Sequence, residues 1–131
     1  MRIIVAIAVG GALGALARWG LSAALPPVAG FPVGIFVVNL SGSLIAGFLL
    51  PWLPELEVSP ELRLGITTGI LGGYTTFSTW QGGVYGLLAA GHAGTGLAYL
   101  GATLLGGLLT CAGGVIFARA LIAGRASGDG A

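Results

Sequence analysis

Two short runs set polar side chains inside long apolar stretches, and both are rich in hydrogen-bond donors that carry no fixed charge. In residues 32–43 the amide of Asn39 lies away from either flanking loop, where its two N–H donors can bond an anion or a neighbouring helix. The second run is Gly72-Gly73-Tyr74-Thr75-Thr76-Phe77-Ser78-Thr79-Trp80, with adjacent glycines, four Ser and Thr hydroxyls and three aromatic rings. Two local structures fit it. In an intact helix the hydroxyls bond back onto the preceding turn. If the helix unwinds, backbone groups are freed at membrane depth, which is tolerated only where protein or a polar cavity receives them. Freed carbonyls suit a cation, whereas hydroxyls and the positive rims of aromatic rings suit an anion.

The charges are as informative as the donors. No Asp or Glu falls inside an apolar stretch, so the membrane carboxylate of a proton-coupled exporter is missing. No nucleophile, base and orienting group come together, which argues against an enzyme. The single histidine, His92, stands in a glycine-rich turn and reads as a solvated loop residue. Arg18, four residues beyond Gly14, has two equal readings: it gathers anions at a vestibule, or it snorkels to the interface.

These groups must be positioned by membrane helices. Of 131 residues, 56% are hydrophobic and 7% charged, more apolar surface than one small soluble core can bury. Lipid is therefore the expected solvent, and a net charge of +1 gives no reason to expect nucleic acid. Cys111 has no second cysteine to pair with. The first apolar stretch, with Ala15-Leu16-Ala17, also has the look of a secretory signal, but similar stretches recur to the end of the chain.

About 20 apolar residues cross a bilayer, so four spans fit. The first runs from Ile3 to Leu25 and stops at Pro26-Pro27; the second runs from Pro32 to Leu53. Ser59-Pro60-Glu61 then reads as a cap, a first-turn proline and a first-turn acid opening a third segment that reaches Ala90. That segment is longer than one straight span needs and contains the 72–80 run, so a helix broken in mid-membrane is expected. The fourth runs from Thr95 to Ile122. The whole reads as one transmembrane domain, residues 1–123, with a polar tail, residues 124–131, and arginines near the span ends place both termini inside. Glycines at four-residue spacing (Gly10 and Gly14; Gly65, Gly69 and Gly73; Gly82 and Gly86) predict close helix packing and an oligomer.

With these residues in view, the chain resembles the Fluc fluoride channels, also called CrcB proteins, over nearly its whole length. The resemblance is carried by residues 10–19, by Gly34 through Asn39 to Gly42, by residues 72–80, and by Tyr99, Thr103 and Gly107. The Gly-Gly-x-Thr-Thr-Phe-Ser-Thr run is highly specific. The resemblance implies an all-α membrane protein of four transmembrane helices per subunit, assembled as an antiparallel, dual-topology dimer in the bacterial inner membrane. Fluoride, membrane lipid and a second subunit are the implied partners. It further implies passive export of cytoplasmic fluoride, which protects the cell against its toxicity.

By the same resemblance Asn39, Phe77, Ser78, Thr79, Trp80, Tyr99 and Thr103 line the anion pathway and Arg18 is the vestibule arginine. The backbone carbonyls of Gly72 and Thr75 from both subunits hold a central sodium ion. Three positions depart from the family's usual residues: Trp80 stands for Phe, Ile35 for Thr, and Gln81-Gly82-Gly83 replaces a stretch with Glu. The alternatives are a small multidrug-type proton-coupled exporter and a non-conducting partner that pairs with an oppositely inserted paralogue. A homodimer is the preferred assembly.

Overall fold

The computed structural model describes residues 1–128, with side chains to Arg125, and every regular element in that length is a helix, joined by short turns and loops. Helix α1 (Arg2–Ala24) ends two residues before the Pro26-Pro27 pair, its last bond running from Leu25 N–H to the Leu21 carbonyl. A tight turn follows. Val28 and Phe31 exchange two backbone hydrogen bonds across Ala29 (φ 49°) and Gly30 (φ 81°), two consecutive left-handed residues of a type I′ turn.

Helix α2 (Val33–Trp52) starts one residue after Pro32, tolerates Pro51 in its last turn and tightens into a 3₁₀ turn at Leu53–Glu55. Ser59 caps α3 (Pro60–Leu64) by accepting from Leu62 N–H at 3.3 Å, with Pro60 and Glu61 in the first turn as the sequence suggested. The helix then widens into a π-helical stretch, Gly65–Leu71, and closes with one α turn, α4 (Gly72–Tyr74). Thr75 and Thr76 are extended, and α5 (Phe77–Ala89) begins beyond them. After a turn at Gly91 (φ 79°), α6 (Ala93–Gly128) runs for 36 residues.

Among the described residues, three helices are long and apolar enough to cross a membrane: Arg2–Ala24, Val33–Glu55 and Ala93–Arg125. Their large side chains, such as Ile4, Leu16, Leu105, Leu109 and Ile116, face outward, as they must when lipid is the solvent. Association rests on glycine instead. A Cβ at Gly10 or Gly14 would run into the Gly65 or Ile70 carbonyl, and one at Gly73 into Gly11, so α1 and the π-helical stretch touch backbone to backbone. Gly47 against Cys111, and Gly114 against Leu44 and Phe48, bring α2 and α6 together in the same way.

The predicted stripes Gly10/Gly14 and Gly65/Gly69/Gly73 thus face each other, and α1 packs as a full member of the bundle. Gly82 and Gly86 meet nothing within the protomer. Helix α6 also passes Ile122 and the expected domain edge at residue 123. Arg125 stacks 4.4 Å from the Trp52 ring, tying this extension to the end of α2. The remainder of the predicted polar tail, residues 129–131, lies outside the described residues.

Candidate functional site

The interruption between α4 and α5 breaks a hydrogen-bond ladder, and the freed groups have to be satisfied locally. Asn39 does most of this. Its Nδ2 donates to the Thr76 carbonyl at 3.1 Å, and its Oδ1 accepts from Thr76 N–H at 3.0 Å. The side-chain amide thereby pairs with one extended residue as a neighbouring strand would, which uses one of its two N–H donors and leaves the other unspent. A second tie joins α2 to α4. Ser41 Oγ donates to the Val37 carbonyl at 2.7 Å, so the Tyr74 hydroxyl, 2.8 Å away, donates to Ser41.

Within the break the hydroxyls act as caps. Thr75 Oγ1 donates to the Leu71 carbonyl at 2.9 Å, closing α4. Thr76 Oγ1 accepts from Thr79 N–H at 3.2 Å and donates to Thr79 Oγ1 at 3.0 Å, opening α5. Two carbonyls remain over. Thr76 N–H, the normal partner of the Gly72 carbonyl, is taken by Asn39, and Thr79 N–H, the normal partner of the Thr75 carbonyl, is taken by Thr76 Oγ1. No donor among the described residues bonds either oxygen.

Beside the break lies a groove of about 700 Å³ between α2, the broken segment and α6. Of the residues singled out from sequence it gathers Asn39, Gly72, Thr75, Phe77, Trp80 and Thr103. Ser78, Thr79, Tyr99 and Arg18 do not line it. Ser78 and Thr79 face outward on α5, and Arg18 is half-buried on α1. Tyr99 is fully buried behind the groove, where its ring meets Phe31 edge to face at 5.2 Å.

The aromatic pair divides in a similar way. Phe77 is 70% exposed, while Trp80 is 5% exposed, their ring centroids 5.2 Å apart. Thr103 Oγ1 donates to the Tyr99 carbonyl at 2.7 Å, so on the groove side this hydroxyl offers lone pairs, not its hydrogen. Sequence reasoning had assigned no role to Ser41, Tyr74 or Thr76. All three stand in or beside the runs already noted, but their pairing across helices is not visible from spacing. Ser43, Thr67 and Cys111 also line the groove.

The family model for CrcB-like protein, Camphor Resistance (CrcB), matches residues 5–115. The chain belongs to the CrcB family. Among relatives of this CrcB protein, one from Moorella thermoacetica named fluoride-specific ion channel FluC 1 is 40% identical over 123 residues, covering 92% of this chain and 88% of its own. Another from Methanopyrus kandleri, named fluoride-specific ion channel FluC, is 41% identical over 127 residues and 95% of each chain. A third from Carboxydothermus hydrogenoformans, named fluoride-specific ion channel FluC 2, is 45% identical over 106 residues, 80% of this chain and 78% of its own. With its apolar helices and this membership, the CrcB chain is a multi-pass membrane protein.

Proposed function

We propose that this chain is the subunit of a fluoride-selective passive ion channel that exports cytoplasmic fluoride. The observation that carries the reading is the opened backbone at Thr75 and Thr76, clamped by Asn39 at the edge of a largely apolar groove whose polar lining is the Asn39 amide and Ser and Thr hydroxyls, beside the Phe77 and Trp80 rings, with no carboxylate among the described residues. Fluoride is small and strongly hydrated, so its water is replaced only by strong donors. The second N–H of Asn39 is one such donor. A pathway without Asp, Glu or His has nothing to load with a proton, which favours leak down the potential over proton-coupled exchange. The relatives' names point to the same ion.

In the assembly we infer, α3 through α5 form a third crossing broken in mid-membrane, giving four crossings with both termini on one side. Two subunits then pair antiparallel, the outward-facing α5 and the open groove being covered by the second copy. The Gly72 and Thr75 carbonyls fit sodium, because a hard cation takes oxygen ligands and these oxygens have no donor. A bound sodium ion would supply fixed positive charge close to the anion route, lowering the cost of a dehydrated anion there.

Purified protein in liposomes is expected to release fluoride, and not chloride, when a potential shunt is added. Equal chloride release would refute the selectivity, and silence of this chain alone with activity beside a paralogue would replace the homodimer by a heterodimer.

A further inference from the structure

Four arginines gather at one end of the bundle. Helix α1 runs alongside the π-helical stretch in the same direction, with Gly10 at Gly65 and Gly14 at Ile70, and α2 runs alongside α6, with Leu40 at Gly106 and Gly47 at Cys111. Arg2, Arg63, Arg119 and Arg125 therefore share an end, with Glu55, Glu57 and Glu61 in the loop and first turn between them. Arg125 is held over the Trp52 ring. The exposed Arg63 guanidinium has no ion pair or hydrogen bond among the described residues.

Arg63 lines a slot of about 200 Å³ between the end of α2 and the third segment, together with Leu49, Leu50, Leu53, Pro54 and Thr67. The Thr67 hydroxyl gives its hydrogen to the Arg63 carbonyl at 2.8 Å, so the guanidinium is the slot's one strong side-chain donor. None of the three glutamates lines it. Leu53 is buried and Leu50 is 63% exposed, so the slot opens outward beside Leu50.

We propose that this slot binds one anionic phospholipid, its phosphate on Arg63 and the first part of an acyl chain along Leu49, Leu50 and Leu53. The lining selects an amphiphile. A small free anion would gain from the guanidinium but would lie against leucines, where charge is costly. A bare hydrocarbon would leave the arginine without a use. A phosphodiester accepts two N–H groups of a guanidinium side by side, and a headgroup with net negative charge adds attraction that a zwitterionic one lacks. Depth agrees with this occupant. Ser59 and Pro60 open α3 from the polar loop, so Arg63 stands one turn into the segment, at headgroup level. That depth rests on the proposed third crossing. Leu50 and Thr67 also line the groove that holds Asn39, so a chain seated in the slot borders the groove's end.

The purified full chain in detergent is titrated with dioleoylphosphatidylglycerol or dioleoylphosphatidylcholine, and bound lipid is counted by native mass spectrometry. Phosphatidylglycerol is expected to bind at roughly tenfold lower concentration, the gain from one charge-assisted contact. Arg63→Gln is expected to abolish the preference and Arg63→Lys to keep part of it. Arg119→Gln removes the same charge from the same end, away from the slot, and is expected to leave the preference intact. Leu50→Asn is expected to weaken both lipids. Equal binding of the two lipids by the unaltered chain overturns the site, and so does an equal loss in Arg63→Gln and Arg119→Gln, which is diffuse attraction to a basic surface. If Arg63→Gln slows fluoride release from phosphatidylcholine liposomes and keeps the lipid preference, Arg63 serves ion entry and the lipid site falls. Fluoride release without a lipid preference removes the site alone, whereas a lipid preference without release removes the channel reading alone.

Discussion

Replacing Asn39 by Ala takes away both hydrogen bonds to Thr76, at 3.1 and 3.0 Å, and puts nothing in their place. A net intramolecular hydrogen bond contributes about 0.5–1.5 kcal/mol, and interhelical bonds in membranes average about 0.6 kcal/mol. Two bonds then give about 1–3 kcal/mol. The upper part of that range applies, because Thr76 is buried and its N–H and C=O are left without partners. About 2–3 kcal/mol corresponds to roughly 30- to 140-fold in the local opening equilibrium. Hydrogen exchange at the Thr76 amide of the reconstituted protein measures this, and fluoride efflux from the same sample should fall. Asn39→Asp keeps an acceptor for Thr76 N–H but sets a carboxylate oxygen against the Thr76 carbonyl, so exchange should rise less while efflux falls further. If Asn39→Ala changes Thr76 exchange by less than about threefold, the clamp contributes almost nothing and the reasoning fails.

Gly14→Ala forces a methyl onto the Ile70 carbonyl and should destabilise the packing of α1 by about 1–3 kcal/mol, lowering the midpoint of detergent-induced unfolding; Gly20→Ala, with nothing within 4 Å, is the control and should not. Replacing sodium by a large organic cation on both sides of reconstituted vesicles should abolish fluoride release if the Gly72 and Thr75 carbonyls hold that ion; unchanged release would remove the site. Because no Asp, Glu or His lines the groove among the described residues, efflux should vary by less than about twofold between about pH 6 and about pH 8, and a steep titration in that window would revive proton coupling.

Residue types disclosed the apolar spans, the Pro26-Pro27 stop, the Ser59 cap and two facing glycine stripes, because each is a local signal: composition, a missing N–H, a short side-chain acceptor, a repeat of four. What depended on distant partners was not legible. Asn39 and Thr76 are 37 residues apart, and nothing in either run says that the amide turns to the backbone of the other. The π-helical stretch Gly65–Leu71 carries no composition signal of its own; it lies where α1 meets the backbone closely at Gly65 and Gly69. Polar composition beyond residue 123 suggested a tail, whereas Arg125 finds the Trp52 ring and α6 continues past it.

The placement of Asn39 also explains why one side chain suits both the fold and the proposed conduction. An amide has two donors and a carbonyl with two lone pairs, and one donor and one lone pair are enough to close the open residue Thr76. A serine could not span both backbone groups, and a carboxylate would repel the carbonyl as well as any arriving anion. The leftover N–H is held in a fixed direction by the two bonds already made, so it costs little further entropy when it replaces water around an ion. The hydroxyls of Thr75 and Thr103, by contrast, have their hydrogens committed to Leu71 and Tyr99 carbonyls. Donation to a dehydrated halide in this groove therefore falls first to Asn39.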